Sequence, residues 1–314
     1  MALKEEILNY LTEHSGEYVS GEELAQSLGK SRAGVWKAIK TLQADGYTIE
    51  AVTNRGYMLA SSNDILNENE LKRYIDFDCD IAFYESIDST NNQAKRIIVD
   101  GDSKPLLVVG EEQTAGRGRQ GKSFYSPAKT GIYMSLVVHP MAKLQNALTA
   151  TTAASVAVCK AIEKLTDVTP QIKWVNDVYV DGKKICGILT EAVTDFETQT
   201  VASVIIGIGV NLKTHTFPSD VQNASCLEAP VKRAEFIATV ANELNGIVTG
   251  DYEAFIDYYR SHSMIVGKEI NFIKNGIVIP ATAVGIDDVG GLEVVLADGT
   301  HETLRSGEIT VRTR

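Results

Sequence analysis

A glycine-rich segment with three cations, residues 116–123 (Gly-Arg-Gly-Arg-Gln-Gly-Lys-Ser), is suited to hold an anion. Arg117, Arg119 and Lys122 alternate with glycines that let the backbone bend around a ligand. The segment also satisfies the written P-loop pattern of nucleotide-binding proteins, but a true P-loop needs a helix that begins at its Gly-Lys-Ser. Pro127 follows too closely to leave room for that helix. The sequence therefore predicts a flexible loop that encloses an anionic ligand, and a plain solvated basic loop is the alternative.

A second group of charges is predicted on a β-hairpin. Asp181-Gly182 is typical of a two-residue turn, and alternating stretches flank it at 172–180 and 184–193. That turn pairs Tyr179 with Lys184 and puts Asp177 diagonal to Lys184 at roughly 7–8 Å. A cation and a carboxylate placed in this way can clamp a phosphate and its magnesium, and a structural ion pair is the alternative. The side chains predicted to share this face of the sheet are Asp177, Tyr179, Lys184 and Cys186.

Composition and charge limit the classes of protein that this chain can be. Its 314 residues, 44% hydrophobic and 23% charged, are typical of a globular protein of two or three domains. The net charge of −11 argues against a general nucleic-acid coat, so any DNA binding must be local. The four cysteines lack metal-ligand spacing and are predicted to be reduced thiols rather than zinc ligands or disulfides. We therefore predict no metal site.

The sequence predicts neither a signal peptide nor a membrane span. The first residues carry acids where a signal peptide needs a basic and then an apolar stretch. The longest nearly apolar run, residues 201–212, is about half of the ~20 residues that a membrane helix requires. A soluble, cytoplasmic protein with no membrane contact is expected.

The predicted fold class is α+β, with three parts along the chain. Residues 1–62 are predicted to form a winged helix-turn-helix unit, residues 63–265 a mixed α/β domain and residues 266–314 a small SH3-like β-barrel. The elements expected in the central domain include strands at 106–110 and 132–138 and a helix at 144–165. The turn signals that suggest a barrel are Asn275-Gly276, Gly290-Gly291 and Asp298-Gly299.

The winged helix-turn-helix prediction depends on three helices followed by two strands. Apolar residues at helical spacing predict the helices, and residues 47–59 predict two strands around Asn54-Arg55-Gly56. Ser20 and Ser31 are predicted N-caps, and Gly29 allows the sharp turn between the second and third helices. This layout is typical of DNA-binding domains.

Positive charge in this unit is concentrated on the third helix. Residues 29–40 contain four cations and no acid, although residues 1–62 carry six basic and eight acidic residues in all. We expect these cations to meet DNA phosphates, and a plain three-helix bundle used for protein contacts is the alternative. A polar linker is expected at 61–64. The residues expected at the DNA surface are Lys30, Ser31, Arg32, Ala33, Trp36, Lys37, Lys40 and Arg55.

The glycine loop and four further motifs resemble those of biotin protein ligases. Extended to Pro127, the loop looks like the biotin-binding loop of that family. The other motifs occur in the family's order and are Asp-Ser-Thr-Asn-Asn at 88–92, Lys-Trp-Val-Asn-Asp at 173–177, Lys-Lys-Ile-Cys-Gly-Ile-Leu at 183–189 and Gly-Ile-Gly-Val-Asn-Leu at 207–212. With the winged unit in front, the whole chain resembles the bifunctional ligase–repressor type of this family.

The resemblance implies a two-step reaction and a regulatory role. The biotin carboxylate attacks the α-phosphate of MgATP to give biotinyl-5′-AMP, and a lysine amine of a biotin carrier domain then takes the acyl group. The implied partners are a carrier domain of acetyl-CoA carboxylase or pyruvate carboxylase, operator DNA, and a second copy of the chain when the adenylate is bound. Biotinyl-5′-AMP is then both intermediate and corepressor for genes of biotin synthesis or uptake.

The resemblance also assigns roles to particular residues. Three are implied to be catalytic, namely Lys184, Arg119 and Asp177. Biotin is implied to contact Ser89, Thr90, Asn91, Gln113, Arg117, Gly118, Arg119 and Lys184. ATP or the adenylate is implied to contact Lys122, Asn176, Asp177 and Asn211. Ser89 is also placed to cap the helix that follows it, and Gly187 to give the ligand clearance.

Two positions depart from the family pattern. Phe124 stands where many relatives have tryptophan, and residues 217–229 lack the tryptophan that in relatives covers the adenine. Two other functions remain as alternatives. One is a small-molecule-sensing regulator that binds without catalysis, and the other is a lipoate-type acyl ligase, against which the Gly-Arg-Gly-Arg sequence argues.

Overall fold

The computed structural model describes residues 3–14, 16–60, 64–98, 104–139, 147–194, 200–250, 252–274 and 276–311. The chain divides into two units, residues 1–65 and 66–314, and each has a hydrophobic core of its own. Some predicted features lie outside the described residues: most of the linker at 61–64, the start of the helix at 144–165, and Asn275.

The first unit contains the three helices and two strands predicted for it. They are α1 (Leu3–Glu13), α2 (Gly21–Ser27), α3 (Arg32–Ala44), β1 (Ile49–Val52) and β2 (Gly56–Leu59). Both predicted N-caps are confirmed, because Ser20 Oγ accepts from the Glu23 amide at 3.0 Å and Ser31 Oγ from the Gly34 amide at 3.1 Å. Gly29 makes the predicted turn with a positive φ of 63°.

A seven-stranded sheet forms the centre of the second unit. Its strands are β3 (Asp80–Tyr84), β4 (Leu106–Gly110), β5 (Gly131–Val138), β6 (Gln171–Lys173), β7 (Asp177–Val180), β8 (Lys183–Thr194) and β9 (Val201–Asn211). They lie in the order β3-β4-β5-β9-β8-β7-β6, and only β3 and β4 pair in parallel. Both faces are covered, which explains why β5 is buried along its whole length.

Helices pack on both faces of this sheet. They are α4 (Glu68–Tyr74), α5 (Thr90–Ile97), α6 (Ala147–Leu165), α7 (Arg233–Thr249) and α8 (Tyr252–Ser261). Val108, Val137 and Ile205 face α5, whereas their strand neighbours, such as Leu107 and Ile206, belong to the core that includes α6 and α7. None of the helices in the described parts of the chain is long and apolar enough to cross a membrane.

Two details of the hairpin prediction were wrong. The expected strand at 172–180 is interrupted, because the chain reverses after Lys173 and β6 pairs with β7 in antiparallel register. The turn pairing of Tyr179 with Lys184 is confirmed, but a bulge follows it and Cys186 pairs with Val178. Cys186 therefore points into the core, where it is fully buried, and does not share a face with Lys184.

The C-terminal residues form a five-stranded antiparallel sheet, and its expected closure into an SH3-like barrel is not confirmed. The strands are β10 (Glu269–Lys274), β11 (Ile277–Ile286), β12 (Leu292–Leu296), β13 (His301–Leu304) and β14 (Ile309–Val311), in the order β13-β12-β11-β10-β14. The described strands do not close, since β13 and β14 stay at opposite edges. Gly290 and Gly299 adopt positive φ angles in the two turns, as their sequence predicted. The α+β class is confirmed.

Candidate active site

A cavity of about 280 Å³ lies on the α5 face of the central sheet, over β8 and β9. It gathers side chains from segments far apart in sequence, which only the fold brings together. The predicted site residues that line it are Ser89, Thr90, Asn91, Gln113, Arg117, Gly118, Arg119, Lys122, Asn176, Asp177 and Lys184. Of the residues implied to touch biotin or ATP, Asn211 alone is missing from the lining.

One end of the cavity is a network of buried polar side chains. Gln113 Oε1 accepts from the Thr90 amide at 2.9 Å and from its hydroxyl at 3.2 Å. Asn91 donates to the Leu189 carbonyl at 3.1 Å, and the Ser135 hydroxyl lies 2.6 Å from Asn91 Oδ1. These side chains hold each other in fixed positions, which suits recognition of a small ligand that has both donors and acceptors.

One prediction about this end was wrong, and one residue of the network was not predicted. Ser89 occupies the N-cap position of α5, but its side chain makes no capping hydrogen bond. The Thr90 amide donates to Gln113. Ser135 was missed, although it is fully buried within the network. The signal was available, since Ser135 is a polar residue in the middle of an otherwise apolar buried strand.

The Gly-Ile-Gly motif of β9 forms part of the cavity wall because its glycines have no side chain. A Cβ at Gly207 would lie 2.2 Å from Asn91 Oδ1, and a Cβ at Gly209 would lie 2.5 Å from the Phe124 ring. Phe124 also approaches Gly187, where a Cβ would lie 3.3 Å from its ring. The predicted packing role of Phe124 is therefore seen directly. The missing side chain at Gly187 leaves room for the Phe124 ring, and clearance for a ligand there stays a prediction.

The glycine loop continues into an extended chain without the helix that a P-loop requires. Its helical part is a three-residue 3₁₀ turn, Arg119–Gly121, and the chain from Lys122 to Pro127 contains no helix. Gly116 is obligatory, because a Cβ there would lie 2.3 Å from the Phe124 carbonyl oxygen. The P-loop alternative is excluded.

The cations of the loop are held by partners around the cavity. Arg119 donates through Nη1 to Asn176 Oδ1 at 2.9 Å, and Arg117 pairs with Glu191 at 3.2 Å. Lys122 forms an ion pair with Glu308. These contacts argue against the alternative of a loop that is simply solvated, because each tethers the loop at a different side of the cavity.

Lys184 and Asp177 form an ion pair at the cavity wall, with Nζ 2.6 Å from Oδ1. The side chains are 33% and 19% exposed, so the pair is only partly shielded from solvent. Asp177 Oδ1 is therefore held by the ammonium group of Lys184, and both side chains line the cavity. A carboxylate at the cavity wall is also a type of ligand that a divalent cation arriving with a substrate prefers.

Lys173 is a cavity residue that the sequence reasoning missed. It lies in β6, with its Nζ 5.8 Å from the centre of the Tyr179 ring. Burial lowers the pKa of Lys173, and the positive charge of Lys184 acts in the same direction although Asp177 opposes it. The signal was a lysine between the apolar residues Ile172 and Trp174. Burying a charge at such a position costs free energy, so a lysine there indicates a function or a partner.

The C-terminal segment 307–310 forms one side of the cavity, and this was also missed. It carries Glu308, the partner of Lys122. Strand pairing explains its position, since β14 is attached to the edge of β10. Nothing in the local sequence marks these residues as part of a site.

Asn211 lies at the end of β9, outside the cavity lining, and is 5% exposed. Its amide donates to the Ser225 carbonyl at 3.1 Å. Ser225 in turn donates its amide to the Lys184 carbonyl at 2.9 Å, and the Lys184 amide donates to Asn223 at 2.9 Å. Asn211 therefore supports the segment that flanks the backbone of Lys184.

Helix α3 in the first unit presents the predicted DNA surface to solvent. Trp36 is 56% exposed, and Lys37 and Lys40 have no acidic partner within the described residues. Lys30 lies 3.7 Å from Glu6, and Arg32 lies 3.5 Å from Glu22. All eight residues predicted at this surface are exposed, and Ala33, Trp36, Lys37 and Lys40 follow the spacing of a single helical face.

Three sequence profiles match the chain. Residues 83–211 match the biotin/lipoate A/B protein ligase family, residues 4–58 an HTH domain and residues 265–312 the biotin protein ligase C-terminal domain. The bifunctional ligase/repressor BirA of Bacillus spizizenii is 30% identical over 311 residues, which cover 95% of each chain. The chain belongs to the BirA-type ligase/repressor family.

Other members of this BirA-type family and its structural neighbours agree with the assignment. The Escherichia coli bifunctional ligase/repressor BirA is 28% identical and matches 95% of this chain and 94% of its own. A biotin protein ligase from Aquifex aeolicus, solved in complex with biotin and ATP, has a TM-score of 0.62 at 25% identity, covering 75% of this chain and 99% of its own. The resemblance inferred from the motifs is confirmed, and the HTH match favours DNA binding over a plain helical bundle.

Proposed function

We propose that this protein activates biotin with ATP to biotinyl-5′-AMP and transfers the biotinyl group to a lysine of a biotin carrier protein. One observation carries this proposal. In a BirA-type chain, one cavity combines a buried polar end with the cationic glycine loop and the Lys184–Asp177 pair. The proposed carrier is a domain of acetyl-CoA carboxylase or pyruvate carboxylase, and the proposed location is the cytoplasm, where its four free cysteines stay reduced.

The nucleophile in each step belongs to a substrate, so the protein positions groups and stabilises charge. The network of Thr90, Asn91 and Gln113 is placed to bind the polar ring of biotin. Lys184 is placed to stabilise negative charge on the α-phosphate. Asp177 and Asn176 fit the magnesium that enters with ATP as part of that substrate, because both line the cavity and carry the oxygen atoms that magnesium prefers as ligands.

The test of the ligase is a transfer assay with labelled biotin, ATP and a purified apo carrier domain. We expect label on the carrier and release of pyrophosphate, both dependent on ATP. Replacing biotin by lipoate distinguishes a lipoate-type ligase. Binding of biotin and ATP without pyrophosphate release would instead support a regulator that senses the ligand and does not catalyse.

Gly207→Ala is expected to raise the KM for biotin roughly tenfold, because overpacking in a tight site costs about 1–3 kcal/mol. The new Cβ must displace the Asn91 amide, which lies 2.2 Å from its position. The matched control is Gly246→Ala in α7, where a Cβ meets nothing within 4 Å. Steady-state kinetics with biotin as the varied substrate measure the effect. An unchanged KM for Gly207→Ala would contradict the proposal that Asn91 binds biotin.

The proposal for the first unit is repression through operator DNA. Helix α3 is the proposed recognition helix, with Arg55 as a further contact from the strand turn. Six basic and eight acidic residues in 1–62 leave little positive charge for phosphates, so a single unit should bind one half-site weakly. Useful affinity then requires two units on one operator, where the second contact is effectively intramolecular.

Dimerisation is therefore the proposed control point, with the glycine loop ordered by biotinyl-5′-AMP as the switch. By linkage, an adenylate that favours the dimer must itself be held more tightly by the dimer. Fluorescence anisotropy on DNA with two half-sites tests this under three conditions: no ligand, biotin with ATP, and then added apo carrier. We expect the second condition to strengthen binding and the third to reverse it. Equal affinity in all three would refute the coupling and leave the ligase proposal intact.

Deleting residues 1–62 is expected to abolish operator binding and to leave a folded ligase. The first unit has a separate core built on Ile7, Leu11 and Leu24, and the cavity residues all belong to 66–314. Circular dichroism, thermal unfolding and the carrier assay measure the outcome in the truncated protein. An insoluble or unfolded fragment would contradict the proposed boundary. Lys37→Ala with Lys40→Ala in the full chain is the milder control, which should weaken DNA binding and keep ligase activity.

A further inference from the structure

Three side chains with metal-binding atoms converge in the segment that connects β9 to α7. His215 Nδ1 lies 3.6 Å from Glu228 Oε1 and 3.7 Å from Cys226 Sγ, and Cys226 Sγ lies 3.7 Å from Glu228 Oε1. The triangle lies apart from the cavity, whose lining includes none of the three. Among the described residues, this is the one such group of three in which the ligand atoms lie within 4.8 Å of each other.

The distances match those of a small tetrahedral metal site. Zinc binds thiolate sulfur at about 2.3 Å, imidazole nitrogen at about 2.0–2.1 Å and carboxylate oxygen at about 2.0–2.2 Å. Tetrahedral angles then separate the ligand atoms by roughly 3.3–3.6 Å, so only a small contraction of this triangle is required. A set of one sulfur, one nitrogen and one oxygen suits zinc and disfavours magnesium or calcium, which prefer oxygen alone.

The backbone brings these three residues together before any metal binds. The Leu227 amide donates to the Asn211 carbonyl at 2.9 Å, and the Glu228 amide donates to the Leu212 carbonyl at 2.9 Å. Residues 227 and 228 are therefore fixed against the end of β9, four residues from His215. Glu228 holds a left-handed φ of 54°, which is costly for a residue with a side chain.

We propose that His215, Cys226 and Glu228 bind one Zn²⁺, with Cys226 as the thiolate and water as the fourth ligand. Cys226 is 9% exposed, whereas the side chains of His215 and Glu228 are 67% and 66% exposed, so the fourth position faces solvent. The site closes a loop between residues 215 and 226. Asn223 and Ser225 within that loop hydrogen-bond the backbone of Lys184, so the metal stabilises the segment that supports this lysine.

Cobalt substitution tests the site directly. The full-length protein, purified with a chelator and reduced, is titrated with Co²⁺ and its absorption spectrum recorded. We expect one equivalent to give thiolate-to-cobalt charge transfer in the near ultraviolet and four-coordinate bands in the visible, with both displaced by Zn²⁺. Absence of these bands in the wild-type protein overturns the proposal.

The variants identify the ligands. Cys226→Ser should abolish charge transfer, and His215→Gln should weaken cobalt binding by more than the roughly 10–100-fold that loss of an outer-shell partner costs. If Cys226→Ser does not fold, Glu228→Gln takes its place as the test variant, because Glu228 is exposed. Cys79→Ser and His262→Gln are the matched controls, since both lie outside the triangle. A spectrum that responds to the controls, or that Cys226→Ser leaves unchanged, places the metal elsewhere and overturns the assignment.

Hydrogen exchange gives a readout that does not depend on catalysis. Zn²⁺ should slow exchange at the Ser225, Leu227 and Glu228 amides in the wild-type protein and leave it unchanged in Cys226→Ser. The activity readout does rest on the proposed ligase, and there Zn²⁺ should lower the KM for ATP more than the KM for biotin. Cobalt binding without ligase activity would reject the proposed function and keep the metal site. Unchanged exchange after Zn²⁺ binding would reject the stabilising role.

Discussion

Lys184→Ala is expected to slow formation of biotinyl-5′-AMP about 10²–10³-fold, the usual cost of removing one charge-stabilising donor from an active site. The ammonium group lies at the cavity wall, paired with Asp177 and partly exposed, so an arriving α-phosphate can reach it. Biotin binding should change much less, because the polar network at the other end of the cavity includes no part of Lys184. Single-turnover pyrophosphate release and a separate biotin titration distinguish the two effects.

Lys183→Ala is the matched control for this experiment. The two lysines are adjacent in β8, but Lys183 is exposed beside the turn and pairs with Val180. Both variants remove one positive charge from the same hairpin, so any general electrostatic effect on ATP binding appears in both. Pyrophosphate release at the wild-type rate from Lys184→Ala would contradict the proposal that this residue stabilises the α-phosphate. An equal loss in the rate of pyrophosphate release in Lys183→Ala would show that Lys184 acts only through its contribution to the net charge.

Arg119→Gly is expected to release the adenylate roughly 10- to 100-fold faster, since hydrogen bonds of charged groups contribute about 1.5–3 kcal/mol. Its guanidinium joins the glycine loop to Asn176 across the cavity, and that tether is lost in the variant. The escaped adenylate should then acylate nearby lysines without selection. Thermal unfolding should stay near wild type, because Arg119 belongs to no hydrophobic core cluster.

Gln120→Gly separates the loss of the cation from the gain of backbone freedom. Gln120 is exposed and already holds a positive φ of 55°, so glycine fits its conformation and adds the same flexibility to the loop. Labelling of a bystander protein, followed by mass spectrometry, measures adenylate escape in both variants. Retention of the adenylate by Arg119→Gly for as long as by the wild type would show that the loop is not a lid.

The central site was largely predictable, because its chemistry is carried by short motifs whose residue types are unusual where they stand. A glycine loop with alternating cations and a turn marked by Asp181-Gly182 are local signals. The structure places the loop at the cavity and confirms the turn. The bulge between the Tyr179–Lys184 pair and the Val178–Cys186 pair was not predictable, since an alternating strand pattern carries no mark of one inserted residue. Register depends on pairing between strands, and that is decided by the whole sheet.

Residues that join the site through tertiary pairing were the ones missed. Ser135 is a polar residue in an apolar strand, and Lys173 lies between the apolar residues Ile172 and Trp174. Both signals were present, but each fits a tolerated polar group of the core as well as a functional residue. Glu308 gave no local signal, because its place beside Lys122 follows from the pairing of β14 with β10. Closure into a barrel was not confirmed for a similar reason. Turn spacing indicates the number of strands, but closure depends on whether the edge strands meet.

The side of the cavity formed by 307–310 has a consequence for the order of events during synthesis. Translation proceeds from the N-terminus, so the first unit can fold once residue 65 has left the ribosome. The cavity cannot be complete until residue 310 has emerged, 245 residues later (310 − 65). A nascent chain therefore carries a folded DNA-binding unit before it has a finished ligand site, and an interrupted translation product would hold the first without the second.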